Sequence, residues 1–326
     1  MPLLLTEADL QPLVTSFDAM EGAFEAIEAA YREYQEGQTR PIDTVGLPLT
    51  GAQRSLRICP GVAGAGVSIR TYPTLERDEF PDSSVNVLFD PNHGRLLAIM
   101  AGDELNGFRT AAPGGLAARL LAPDGARSLA MLGSGRQARN FLPAMMHALP
   151  TLERVRIYSP TRAHREDYAR SMSQLYEVVV EAVDEPRQAV VDADVIVVAS
   201  SGSEPVLAAD WVRPNALIVS IASGQLPAEL ITRSRLTVSS RDEVLSKGRR
   251  EPYGSLLASG ALITEQVVEI GDVILGRVLG RRSEDEIVIH EMPGLSIWDA
   301  AILGWAYAWA VRTGAGTSFN LSTADV

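Results

Sequence analysis

From Ser128 onward, short and almost continuously apolar runs alternate with stretches of helical character. The runs cover residues 129–132, 155–158, 178–182, 195–199, 217–221, 236–238 and 287–290. Strands without a polar face are covered on both sides, the condition of a parallel sheet held between two helix layers. Strand–helix alternation sustained over this length predicts an α/β fold with a doubly wound parallel sheet of the Rossmann type.

The first of these runs feeds directly into Gly133-Ser134-Gly135-Arg136-Gln137-Ala138, and a helical stretch follows. This is a G-x-G-x-x-A turn in strand–turn–helix context. Gly133 permits the tight turn, Gly135 lets main chain approach a pyrophosphate, and Ala138 lets helix and strand pack closely. The helix N-terminus then offers N–H donors to the anion. A dinucleotide site is the expectation. An NAD site usually places a carboxylate at the end of the next strand to accept from the ribose 2′-OH. Here that strand ends in Ser159, Pro160, Thr161 and Arg162. Two hydroxyls and a guanidinium suit a 2′-phosphate, so NADP is expected, with NAD as the alternative.

The first hundred residues have a different pattern. Met20, Phe24, Ile27, Tyr31 and Tyr34 recur at helical spacing across residues 18–35. Residues 67–72 and 84–89 read as strands, and Asp90-Pro91-Asn92-His93-Gly94 as a hairpin turn. This predicts a smaller α+β unit with antiparallel strands. Residues 110–121 read as a helix with Pro113 near its start, where proline is tolerated. The last helix, about 297–312, is expected to return to the first unit. The expected domains are 1–112 with 296–326, for substrate binding and dimerisation, and 113–295 for the dinucleotide.

A formal net charge of −12 over 326 residues argues against a nucleic-acid partner. The single cysteine, Cys59, rules out an internal disulfide and fits a reducing cytoplasm. His93, His147, His164 and His290 are scattered without metal-ligand spacing. The apolar start is short, is followed at once by Glu7 and Asp9, and does not read as a signal peptide. The late apolar run 300–311 is too short to span a bilayer, so no membrane is expected as a partner.

More specific is the segment Gly107-Phe108-Arg109-Thr110-Ala111-Ala112, followed by Leu116-Ala117-Ala118-Arg119-Leu120-Leu121 and the glycine turn. Together with Glu269-Ile270-Gly271-Asp272-Val273-Ile274 and Arg281-Arg282-Ser283-Glu284-Asp285-Glu286-Ile287, it resembles the ornithine cyclodeaminase/μ-crystallin family over nearly the whole chain. The resemblance implies a homodimer and chemistry at the carbon–nitrogen bond of small amino, imino or keto acids. Members include cyclodeaminases, alanine dehydrogenases, ketimine and pyrroline-2-carboxylate reductases, and siderophore-pathway amino-acid dehydrogenases. It implies that Arg109 holds the substrate carboxylate, with Arg40 of Thr39-Arg40-Pro41 as its partner. Thr110, Ser200, Ala222, Ser223 and Gly294 complete the expected cofactor contacts.

Departures from the family pattern narrow the chemistry. Ser68 stands where active members usually carry a lysine, and Arg70 lies two residues on, on the same strand face. Ser223 lies nearest the position of the cyclodeaminase-type aspartate. Glu291-Met292-Pro293-Gly294 replaces the family's Lys-Ser before a glycine. An unperturbed serine hydroxyl and a permanently charged arginine are poor bases, so ornithine cyclisation is disfavoured. A reductase or dehydrogenase needs only a bound, polarised C=N and a hydride donor. On this reading Arg70 holds a second carboxylate or stabilises charge, and water, Glu291 or His290 supplies the proton. The alternatives are a cyclodeaminase-like cycle on bound NAD and a catalytically weak NADP-binding protein.

Overall fold

The mixed patterning of the N-terminal region resolves into a seven-stranded sheet. The computed structural model describes residues 1–50, 54–74, 84–202, 204–221, 224–246 and 251–321. Two units are distinguished, residues 1–113 with 295–326 and residues 114–294. In the first, the strands are β1 (Leu3–Leu5), β2 (Val45–Pro48), β3 (Ser55–Ala63), β4 (Gly66–Pro73), β5 (Val85–Phe89), β6 (Leu96–Ala101) and, near the C-terminus, β15 (Thr317–Ser318). They lie in the order β15-β1-β6-β5-β4-β3-β2. Only the β1–β6 pair is parallel. The hairpin turn before β6 is closed by the Asp90 N–H on the Arg95 carbonyl at 2.8 Å, with Gly94 at φ +65°.

Helices α1 (Glu7–Val14), α2 (Ala19–Gln35), α3 (Asp103–Leu121) and the late α10 (Ser296–Thr313) complete this region. The α2 stripe predicted from spacing buries Met20, Phe24, Ile27 and Tyr31. α10 is apolar nearly all round, as suits its first half, where every residue from 296 to 304 is buried. It packs on α2 and across β3, β4 and β5. Gly304 permits that close approach, because a Cβ there would lie 3.0 Å from the Ala65 carbonyl oxygen.

Three features differ from the expectation. β2 and β3 contain Pro48 and Pro60, which sequence reading takes as breakers. β1 is only three residues long and carries no alternation. α3 starts at Asp103, so Pro113 stands in its interior rather than its first turn. Lacking an N–H, Pro113 leaves the Arg109 carbonyl without its intrahelical partner.

The second unit carries β7 (Ser128–Leu132), β8 (Arg154–Tyr158), β9 (Val180–Ala182), β10 (Val195–Val198), β11 (Leu217–Ser220), β12 (Arg235–Val238), β13 (Val268–Glu269) and β14 (Val288–Glu291). Their order is β13-β12-β14-β11-β10-β7-β8-β9, and every pair is parallel. Helices α4 (Arg136–Ala148), α5 (Arg162–Tyr176), α6 (Pro186–Val190), α7 (Ala228–Arg233), α8 (Tyr253–Ala258) and α9 (Ile270–Ile274) intervene. This is the doubly wound sheet that the apolar runs predict. Its β7, β10, β11 and β12 side chains are buried almost throughout. The direction of winding reverses at β7, whose neighbours are β8 and β10, and ligands of such sheets bind at that reversal. No helix among the described residues is long and apolar enough to cross a membrane.

Candidate functional site

At the end of β7, Gly133 adopts φ +119° and lies against the end of β10. A Cβ there would sit 2.7 Å from the Ala199 carbonyl carbon and 2.9 Å from the Ser200 nitrogen, so no other residue fits without moving main chain. Gly135 is the N-cap of α4 and caps it with no side chain. It is exposed, and a Cβ on it would meet nothing within 4 Å. The first turn of α4 thus starts beside open space with no side chain capping its N–H groups, the arrangement a pyrophosphate requires. Ala138 is fully buried beneath the turn. Arg136 is exposed, and the buried Gln137 Oε1 has no hydrogen-bond donor among the described residues. The residues present fit a dinucleotide.

The Ser134 hydroxyl donates to Ser159 Oγ at 2.9 Å, which joins the glycine turn to the end of β8. Thr161 is the exposed N-cap of α5, without a side-chain cap bond. Arg162 is 76% exposed, and its Nε donates to Glu166 Oε1 at 2.7 Å. Arg165, not anticipated from the sequence, braces this loop. Its Nη1 donates to the Ser159 carbonyl at 3.1 Å and its Nη2 to Asp184 after β9. The Ser200 hydroxyl donates to Gln225, whose amide returns to the Gly202 carbonyl. Gly294 is exposed at the end of this unit. Ala222 and Ser223 lie outside the described residues.

In the first unit the chemistry gathers on one face of β4. Arg70, 5% exposed at its side chain, donates from Nε to Asp299 Oδ1 at 2.9 Å. Its Nη1 donates to Asn106 Oδ1 at 3.2 Å and its Nη2 to Cys59 Sγ at 3.6 Å. The guanidinium lies 4.6 Å from the Tyr72 ring centroid. Arg109, one turn after Asn106 on α3, donates from Nε to the same Asn106 Oδ1 at 3.2 Å and stands 3.4 Å from the same Asp299 oxygen. Among the described residues nothing accepts from Arg109 Nη1 or Nη2. Burial, reinforced by Arg70, holds the Arg109 pKa below its ordinary value despite Asp299. Burial also acts against the Arg70 charge, but Asp299, Cys59 and Tyr72 outweigh it and leave its pKa raised.

Arg70 was expected to hold a second carboxylate or to stabilise charge; with all three of its nitrogens engaged within the protein, it offers no free fork for the first role. Ser68 is fully buried and its hydroxyl donates to the Gly61 carbonyl at 3.4 Å. Thr110, also buried, spends its hydroxyl proton on the Asn106 carbonyl at 3.1 Å. Arg40 is exposed and has no ion pair with Asp299. Its segment is anchored on either side by the Thr39 hydroxyl on the Val62 carbonyl and by the Ile42 N–H on Ser296 Oγ. Asn106, Asp299 and Cys59 were missed from the sequence. The signal for Asp299 was present: it is a carboxylate inside the apolar run of α10, and such a group is found buried only with partners.

His290, offered as a proton source, is corrected by its setting in the second unit. It is fully buried in β14, and burial pushes its pKa down to about 3. It is neutral at working pH. Glu291 is buried beside it and accepts from the Tyr253 hydroxyl at 3.1 Å.

The ornithine cyclodeaminase/mu-crystallin family model matches residues 6–314. The ketimine reductase mu-crystallin of Mus musculus is 29% identical over 287 residues, covering 84% of this chain and 87% of its own. The Thermococcus litoralis Δ1-pyrroline-2-carboxylate reductase, solved with NADH and L-proline, superposes with a TM-score of 0.86 at 24% identity, over 97% of this chain and all of that one. An archaeal alanine dehydrogenase dimer with bound NAD gives 0.83 at 25% identity, over 98% and 99%. The chain belongs to the ornithine cyclodeaminase/mu-crystallin family.

Proposed function

We propose that this chain reduces a small imino acid, or oxidises the corresponding amino acid, with NADP(H) as cofactor. It is an NAD(P)-dependent oxidoreductase of its family, of the imine reductase or amino acid dehydrogenase kind. The observation that carries the substrate class is the partly buried Arg109, whose Nη1–Nη2 edge has no acceptor among the described residues. A guanidinium fork in that condition binds a carboxylate bidentately and orients the carbon next to it. The N-terminus of α4 and the main chain of Gly133 and Gly135 hold the pyrophosphate. Ser159, Thr161 and Arg162 receive the 2′-phosphate. The nicotinamide, when bound, supplies the hydride to the imine carbon, and a proton completes the amine. Ser68, which spends its proton on a carbonyl, provides no base for ornithine cyclisation.

The first unit supports a homodimer. β2 is an edge strand exposed along its whole length, with Val45 and Leu47 at 51% and 45% exposure. An open apolar edge of this kind is a ready template for pairing with another strand. Light scattering should give twice the chain mass, and a monomer mass at micromolar concentration overturns this pairing. The cytoplasm, with its reducing conditions, suits the free thiol of Cys59.

The activity is tested by supplying cyclic and acyclic imino acids with NADPH and, separately, ornithine with NAD. NADPH oxidation is expected in the first set and no proline in the second. Arg109→Ala should cost about a hundredfold or more in kcat/KM. Ordinary turnover of ornithine to proline, or full activity in Arg109→Ala, overturns the reading.

A further inference from the structure

Two guanidinium groups in the first unit share one carboxylate and one amide oxygen, and they share them unequally. Arg70 is the inner member. Asp299, Asn106 and Cys59 take its three nitrogens, and Tyr72 lies against its face. Arg109 is the outer member, 14% exposed against 5% for Arg70 and 3% for Asp299. Only its Nε edge faces Asn106 and Asp299. Two cations against one anion leave the cluster with one positive charge, buried where Coulomb terms are weakly screened.

We propose that Arg70 is a positioning residue that occupies Asp299, so that the cluster keeps one uncompensated positive charge and the outer edge of Arg109 stays free for a single substrate carboxylate. Without Arg70, Asp299 has Arg109 as its only arginine among the described residues. The cluster is then neutral, and an incoming carboxylate must compete with Asp299 for the same guanidinium. With Arg70 present, one carboxylate brings the cluster to neutrality and a second finds no free fork. The ligand class is thus an imino or amino acid presenting one carboxylate at this locus. The inference rests on the reading of Arg109 as the carboxylate-binding arginine.

Charge balance gives a test that simple loss of packing cannot imitate. Pyrrole-2-carboxylate, an unreactive planar monocarboxylate, is titrated by calorimetry into the cofactor-loaded wild type, Arg70→Met, Asp299→Asn and the double variant. Arg70→Met should weaken binding by about tenfold or more, because it neutralises the cluster. The double variant again carries one positive charge and should return to within about threefold of wild type. In turnover, KM for the imino acid should follow these affinities and change more than kcat. Wild-type affinity in Arg70→Met, or a double variant no better than Arg70→Met, overturns the proposal. Arg70→Lys retains the charge and serves if Arg70→Met fails to fold by circular dichroism. It should bind within about threefold of wild type, and loss of binding there equally overturns the proposal. Failure of the wild type itself to bind the probe at millimolar concentration overturns the reading of Arg109 and is thereby distinguished.

Discussion

The two units build their candidate sites from atoms of different kinds. In the second, the cradle is main chain: a left-handed glycine at Gly133, an open N-cap at Gly135 and the first N–H groups of α4. In the first, it is a side-chain cluster drawn from β4, α3 and α10, in which Arg70, Asn106 and Asp299 surround the Nε edge of Arg109. A main-chain cradle needs a few residues in one contiguous stretch, and it tolerates almost any neighbour that leaves the backbone in place. A side-chain cluster needs distant segments brought into register, and every charge in it must be balanced by another. The first arrangement suits an element common to all dinucleotides. The second can be retuned one residue at a time, and here Ser68 and Arg70 occupy the strand face where relatives usually place a lysine.

The sharpest way to break the contrast is to give the cradle a side chain. Gly133→Val forces a branched Cβ against the Ala199 carbonyl at a φ that only glycine adopts readily. The expected loss is about 3 kcal/mol or more of stability, together with all measurable binding of reduced cofactor. Urea titration and cofactor fluorescence check it. A variant that binds cofactor normally would mean that the turn is not the site.

The corresponding substitution in the side-chain cluster should be milder and should separate into two parts. Asn106→Leu removes the oxygen that both guanidinium groups share, and should cost about 1–3 kcal/mol of stability. Asn106→Asp restores the acceptor but adds a negative charge that neutralises the cluster. It should fold as stably as the wild type or better, yet bind the substrate carboxylate more weakly. If both variants lose stability and affinity in parallel, the cluster is held by packing rather than by charge.

Much of this asymmetry was legible beforehand. The glycine turn and the apolar strands depend on local sequence and on the both-faces-buried pattern, so they could be read directly, whereas the reversal at β7 emerged only with the strand order. Arg109 could be placed through its motif. Asn106, one turn before Arg109 on α3, carried no signal of its own; Cys59 is brought to Arg70 by the β3–β4 register, and Asp299 by α10 packing back across β3 and β4, more than two hundred residues along the chain. Arg70 was noticed, but its partners were not, and without them an arginine with every nitrogen engaged looks like a free one. Arg165 was missed for a similar reason: its buried end is defined by Asp184, on the far side of α5 and β9.

Within the second unit, His290 tests whether the core of the parallel sheet depends on pH. The Thr237 hydroxyl donates to the Ile289 carbonyl, so its oxygen, 3.1 Å from His290 Nδ1, is the acceptor. Nε2 is buried without a partner among the described residues. Burial depresses the folded pKa to about 3, whereas the unfolded chain takes up its proton near the ordinary value of about 6.5. The unfolded state therefore binds more protons between these values, and stability falls as the pH drops below about 6.5, by about 1.4 kcal/mol per unit. At pH 5 this reaches about 2 kcal/mol. His290→Met should remove that slope. Urea midpoints at about pH 7 and about pH 5 measure it, and an unchanged slope would assign the acid sensitivity elsewhere.

The smallest expected effect lies where the main-chain cradle gives way to side chains, at the 2′ position of the cofactor. Arg162 stands at the first turn of α5 with its Nε on Glu166 and its Nη edge without an acceptor among the described residues. Glu166 orients the guanidinium and raises its pKa, but it also places a carboxylate beside any arriving phosphate. The pair is solvent-exposed, so each contribution is screened and modest. Arg162→Ala should raise KM for NADPH several-fold and leave KM for NADH unchanged. Glu166→Gln should shift NADPH in the opposite direction, because it removes the repulsion while a neutral acceptor remains for Nε. Both effects should shrink as salt is added. Equal changes for the two cofactors would reduce the pair to a helix-surface contact and leave the discrimination to Ser159 and Thr161. Tighter binding of NADH than NADPH by the wild type would overturn the preference for NADP and leave the pyrophosphate cradle intact.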